Sequence, residues 1–352
     1  MDTSDVMPSH PAARKAIRFI LLTTAGLGLI VYVLSRAALG EVAELLRNPN
    51  GGWIVVGVLA GLSALCANGL RLRSVLKSEV SARRAVAAAA LTQLFVNLLP
   101  FRAGEAGFPL ITKRYLATEW ETSVGGWVLL RWWDLVAVTS LLLASVVVCA
   151  WRAPTLLPVL LLSLVALGGV LTISAGFIVW VVPGGKGWGG SRLTWLPRVV
   201  TSRLQPLLEQ VSQRRSDLVS WRLGVLAGCY WCGTVLQAYC FLLAFYPLDP
   251  VRYLVLFTVM IVVSMVPVHG FAGLGTVEFI HMQTLQALGI PGLVAVSTAV
   301  GCHALALLTT VLFGLAGWLA LHAFAGAAAG SPPTTPGVLG HERGRLDHRE
   351  GG

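Results

Sequence analysis

The chain has 352 residues, 56% hydrophobic and 12% charged, with a formal net charge of +10 and a mean hydropathy of +0.76. Ordinary soluble domains carry about 25% charged residues, so the composition excludes a soluble enzyme and leaves an all-α polytopic membrane protein. Most Lys and Arg lie in short stretches beside apolar runs, the distribution of a membrane topology signal and not of a nucleic-acid surface.

Arg14, Lys15 and Arg18 precede an apolar run and Arg36 follows it, with no A-x-A cleavage site, which reads as an uncleaved signal-anchor helix after a short cytoplasmic N-terminus, 1–16. Six segments are long and apolar enough to span: 17–35, 53–70, 123–150, 155–182, 221–245 and 292–324. Two more, 85–116 and 253–289, are apolar but interrupted. The connection 71–84 holds Arg71, Arg73, Lys77, Arg83 and Arg84, and 183–220 is also basic, whereas 151–154 offers only Arg152 and 246–252 only Arg252. The first two are expected on the cytoplasmic side. These orientations agree only if each interrupted segment is re-entrant, a pair of half-helices; the alternative is that each spans fully. In the re-entrant case the transmembrane domain, 17–325, divides into halves of about 17–150 and 155–324 with opposite orientation, an inverted repeat with both termini cytoplasmic. Residues 192–215 suit either a basic interfacial helix or a plain cytoplasmic connector, and 326–352 a disordered cytoplasmic tail.

The chemistry concentrates in the interruptions. The first reads NLLPFRAGEAGFPLITKR, with Asn97, Pro100, Arg102, Gly104 and Glu105; the second reads VPVHGFAGLGTVEF, with Pro267, His269, Gly270, Gly273, Gly275 and Glu278. Unpaired backbone at membrane depth costs several kcal/mol per group unless protein or a wet cavity surrounds it, so these glycines imply a cavity. Half-helix N-termini and Arg102 suit a phosphate. Glu105 and Glu278 have three open roles: neutralising Arg102, holding a cationic headgroup or carrying a coupling proton. Arg102 and Glu105, three apart, could also only pin the loop. Within the span 123–150, RWWD places Arg131 and Asp134 on one helical face. His269, His281 and His303 lack metal-ligand spacing, and the C-x-x-C of Cys229 and Cys232 lies inside an apolar helix, so no metal or cofactor is expected. Tryptophans near span ends, Trp151, Trp221 and Trp231 among them, read as an interfacial belt. No GxSxG or HExxH is present.

NLLPFRAGE resembles the N-x-x-P-x-R-x-G-E signature of the flippase-like membrane family related to the transmembrane region of lysylphosphatidylglycerol synthase. RWWD resembles that family's R-x-x-D, and GLGTVE followed by ALGIP resembles its second Gly-rich loop. The resemblance covers about residues 15–325. It implies a bacterial or archaeal cytoplasmic-membrane protein that moves a phospholipid or lipid-linked headgroup between leaflets, with membrane lipids, anionic ones first, as partners. Carried over by position, its pathway residues are Asn97, Arg102, Gly104, Glu105, Arg131, Asp134, Gly273, Gly275 and Glu278. Two positions depart: Leu130 stands where the family often has Glu, and a late-span Arg is replaced near His303. The synthase's aminoacyl-transferring domain is not expected in these residues. The alternative is a membrane-embedded enzyme or accessory subunit of lipid or isoprenoid-linked glycan biosynthesis, with Glu105 and Glu278 as acid and base. A third is a structural partner of a biosynthetic complex.

Overall fold

A computed structural model describes residues 47–76, 80–152, 220–265 and 271–329, with isolated positions between 24 and 44 and between 155 and 172. Among them the elements run α1 (Gly51–Leu76), α2 (Ala82–Leu98), a 3-10 turn (Pro100–Ala106), α3 (Gly107–Leu116), α4 (Trp120–Arg152), α5 (Trp221–Leu243), α6 (Pro250–Met265), a second short turn (Phe271–Gly273), α7 (Thr276–Ala287) and α8 (Gly292–Ala329). Helices α1, α4, α5 and α8 are long and apolar enough to cross a membrane, and the protein is an all-α, multi-pass membrane protein. They answer to four of the six expected spans. The other two are described only at isolated positions, and the 192–215 segment, the N-terminus and the chain beyond 329 lie outside the described residues.

Local chemistry sets the helix ends. Asn50 begins α1, its side chain accepting from the Gly52 N–H at 3.0 Å, and Asp249 begins α6 by accepting from Val251 and Arg252, both at 3.1 Å, with Pro250 at the first helical position. Helix α2 stops because Leu99 precedes Pro100 and takes extended backbone, φ −79 and ψ 136. The 3-10 turn then folds back until Gly104 rests on the Phe95 carbonyl, where any Cβ would overlap it. In the second break Ala272, Gly273 and Gly275 have φ of 53, 68 and 81. Helix α7 restarts with Glu278 accepting from the Gly275 N–H at 2.7 Å, half of a capping box.

The helices that flank each break place its two ends together. A Cβ on Gly126, early in α4, would meet Val75, late in α1, at 2.8 Å. The break between them therefore enters and leaves at one level, as a re-entrant pair does. Likewise Gly301, early in α8, packs on the Phe245 ring just after α5. Helices α1 and α5 run antiparallel: Gly57 meets Phe241, Gly61 meets Gln237, Gly233 meets Ala64, and the Asn50 N–H bonds the Ala244 carbonyl at 2.8 Å. The two pairs thus enter from opposite faces, the geometry of an inverted repeat. Cross-packing follows the same exchange, α2 against α8 and α6 against α4, and the two turns touch each other.

Each re-entrant pair has its own apolar core. Leu72, Val75, Phe108, Ile111 and Leu129 surround the first, and Leu256, Met282, Leu285, Val296 and Leu142 the second. Small residues allow close helix approach where lipid gives no hydrophobic drive: the α2 alanines Ala87 and Ala90 lie under Gly317 of α8. Three sequence expectations change. Arg71 is not a loop cation but a buried residue of α1, 1% exposed, and Trp231 is not at a span end but inside α5. Helix α8 also runs to Ala329, past the expected start of the tail.

Candidate functional site

Among the described residues, three features inside the bundle bear on function. The first is ionic. The Arg71 guanidinium donates to Asp134 at 2.7 Å and to the Leu130 carbonyl at 3.1 Å, and it lies 5.1 Å from the Tyr230 ring centroid. Asp134 also accepts from Arg131 at 3.1 Å and from the Trp231 indole at 3.1 Å. Glu105 stands 3.9 Å from Arg131. Two cations and two anions from α1, α4 and the first turn so neutralise each other, which is the arrangement that ionisable groups at membrane depth require. Arg131 and Asp134 pair as their spacing suggests, but the shortest bond to Asp134 comes from Arg71. That partner lies 63 positions away, and sequence reasoning placed it in a loop.

The second assembly is a buried pair. His303 Nδ1 of α8 is 2.7 Å from Glu278 Oε1, while the other carboxylate oxygen takes the Gly275 N–H at 2.7 Å. His281, buried one turn after Glu278, has no hydrogen-bond partner at Nε2. Thus Glu278 both starts α7 and ties the second break to α8.

The third is open space. A cavity of about 310 Å³ lies between the breaks and α8, walled by Asn97, Leu99, Ala272, Gly273, His303 and Thr310. A second, of about 300 Å³, lies between α1, α2, α5 and α8. Asn97, Ala306 and Thr310 belong to both walls. There the Asn97 amide donates to Thr310 at 3.1 Å and accepts from Gln93 at 3.3 Å, so one hydrogen-bonded string separates the two spaces.

The proposed pathway residues therefore divide among these assemblies. Asn97 and Gly273 line the first cavity, Gly275 and Glu278 stand behind it through His303, and Gly104 sets the fold-back of the first turn. Glu105, Arg131 and Asp134 form the ionic group. The backbone of Arg102 lies in the first turn, and its side chain is outside the described residues, as is His269. Among the described residues no group of three or more His, Cys, Asp or Glu could hold a metal. The side chains that a sequence reading passes over, Gln93, Tyr230, Thr234, Gln237 and Thr309, leave a trace: they recur at helical spacing within apolar spans.

A family model, the lysylphosphatidylglycerol synthase TM region, matches residues 16–314. The chain belongs to that family. No curated protein and no solved structure matches it. Membership in the lysylphosphatidylglycerol synthase TM family makes it a membrane protein related to lipid modification or transport. Both re-entrant pairs, the ionic group and both cavities fall within the matched residues.

Proposed function

We propose that the protein moves a phospholipid or lipid-linked headgroup between the leaflets of the cytoplasmic membrane, the acyl chains staying in the bilayer. The observation that carries this reading is the meeting of two helix breaks, entering from opposite faces, across a cavity of about 310 Å³. Broken helices of an inverted repeat are where membrane transporters place substrate, and irregular backbone at that depth is stable only where protein or a cavity surrounds it. Arg102, in the first turn, is the residue that meets the phosphate, and the Asn97 amide and Gly273 backbone border its route. Glu105, Arg131 and Asp134 balance charge beside it, and Glu278 holds the second break in place.

The test is leaflet exchange of a fluorescent phosphatidylglycerol in proteoliposomes, read by dithionite quenching of the outer leaflet. The purified chain accelerates exchange over protein-free vesicles, and Arg102→Ala slows it. Exchange by folded wild-type protein no faster than in empty vesicles would remove the proposal.

A further inference from the structure

We propose that the cavity between α1, α2, α5 and α8 is a binding site for an uncharged, hydroxyl-rich headgroup, glycosyl or polyol, carried on a lipid. This deepens the transport reading and rests on it for the role, though not for the binding. The polar part of the wall consists of Asn68, Gln93, Asn97, Thr234, Gln237 and Thr309, together with the Tyr230 phenol and Thr310, and no Lys, Arg, Asp, Glu or His lines it among the described residues. A phosphate or ammonium in this cavity would therefore lack a counter-charge in its wall. Arg71, which lies 5.1 Å from the centroid of the wall residue Tyr230, is spent on Asp134 at 2.7 Å and does not line the cavity.

What the wall does offer is paired donors and acceptors. The hydroxyls of Thr234 and Thr309 donate to their own helices, at 2.9 and 2.7 Å, which leaves the Thr309 oxygen an acceptor, while the Thr234 hydroxyl also bonds the Tyr230 side chain. The carboxamides of Asn68 and Gln237 have no hydrogen-bond partner among the described residues, so each keeps a donor and an acceptor for a ligand. A sugar or polyol hydroxyl is itself both donor and acceptor and fits such a wall better than any ion. Gly61 makes the site: a Cβ there would strike the Gln237 carboxamide at 2.6 Å, so glycine lets that amide lie across α1. The volume of about 300 Å³ is at the small end of ligand pockets, roughly 300–1,000 Å³. Leu62 and Leu236, next to Gly61 and Gln237, face outward on α1 and α5, where acyl chains would lie. This favours a lipid-borne headgroup over a free sugar.

The experiment measures binding of two acyl-labelled fluorescent lipids, glucosyl diacylglycerol and phosphatidic acid, to the purified full chain by anisotropy, and their leaflet exchange in proteoliposomes. Asn68→Leu and Gln237→Leu are tested separately, with Gln237→Glu as a near-isosteric variant for the case in which an apolar change impairs folding. Wild type is expected to bind the glucosyl lipid, independently of any phosphatidic acid bound at the first turn. Each variant should weaken glucosyl lipid binding by about tenfold, and phosphatidic acid binding by less than about twofold, as expected for lost hydrogen bonds to a neutral ligand. No glucosyl lipid binding by wild type, or unchanged glucosyl lipid binding in all three variants, overturns the site. Free glucose competing at the concentration of the lipid overturns the lipid assignment. Exchange of phosphatidic acid without glucosyl lipid binding removes this inference and leaves the transport reading. Variant-sensitive glucosyl lipid binding with no exchange of either lipid supports the site and removes the transport reading.

Discussion

Removal of Asp134 should cost far more than removal of Arg71, although the two form one ion pair. In Asp134→Leu the Arg71 guanidinium, 1% exposed, keeps the Leu130 carbonyl at 3.1 Å and the Tyr230 ring but no counter-charge. Its Nε already lacks a partner. Leaving one charge of a buried pair uncompensated costs about 3–5 kcal/mol. In Arg71→Met, by contrast, the carboxylate retains Arg131 and the Trp231 indole, each at 3.1 Å, so the loss is that of one charged hydrogen bond, about 1.5–3 kcal/mol. The double variant Arg71→Met/Asp134→Leu removes both charges together. Arg131, whose side chain is 41% exposed, is then left with Glu105, and the double variant should cost little beyond the Trp231 indole bond that it also removes, about 1.5–3 kcal/mol. The coupling energy should exceed about 2 kcal/mol. Thermal unfolding of the purified chain in a fixed detergent reads this as a midpoint drop on the order of 10 °C for Asp134→Leu, at about 2–4 °C per kcal/mol. Arg71→Met should show a smaller drop, with partial recovery in the double variant. Equal drops in the single variants that add in the double would refute the assignment of Asp134 as the shared acceptor.

Four further outcomes follow from individual contacts. Gly104→Ala should prevent normal folding, because its Cβ meets the Phe95 backbone, whereas Gly107→Ala, with its nearest neighbour at 3.7 Å, should leave the unfolding midpoint near wild type. Gly273→Ala combines φ of 68 with Val277 at 2.9 Å from the new Cβ, a cost of about 1–3 kcal/mol, and should slow leaflet exchange, since Gly273 borders the cavity. Glu278→Ala strands both the Gly275 N–H and His303, costing about 2–4 kcal/mol; Glu278→Gln, which can still accept from Gly275, should lose less in the same unfolding assay. Trp231→Phe removes one hydrogen bond to Asp134, at roughly 1.5–3 kcal/mol, and a midpoint identical to wild type would show that the indole bond contributes nothing.

The spans and the two breaks were legible because hydropathy, Pro and Gly act locally: Leu99 stops α2 by preceding Pro100, a constraint present in the sequence itself. Arg71 was not legible for the opposite reason. It lies in the last two turns of α1, where mean hydropathy falls, so it counts toward the positive-inside signal although its partner, Asp134, is on another helix. Trp231 fails similarly, since an indole that caps a carboxylate has the same local pattern as one at an interface. The inverted arrangement was legible through Lys and Arg counts even though one of the counted residues is buried. Removing Arg71 leaves Lys77, Arg83 and Arg84 in the same connection, so the expected orientation does not depend on that residue. The second cavity had a sequence signal that went unread: Tyr230, Thr234 and Gln237 follow the spacing of one helical face in α5, as Gln93 and Asn97 do in α2.

The polar groups of the bundle divide by what they can release. The charges of Arg71, Asp134 and Arg131 and the Glu278–His303 pair are tied to one another, and breaking any of these costs several times the thermal energy. What remains between the two cavities is a neutral bond, Asn97 to Thr310 at 3.1 Å, of a kind whose net contribution is about 0.5–1.5 kcal/mol. A headgroup that enters either cavity can replace that bond with its own, so no buried polar atom is left unpaired when the wall opens. An ion pair at the same place would have to leave a charge unpaired in the membrane. The position of the neutral amide between the cavities, with the ions set to the side, therefore gives the proposed passage a low barrier where the two spaces adjoin and a rigid frame around them.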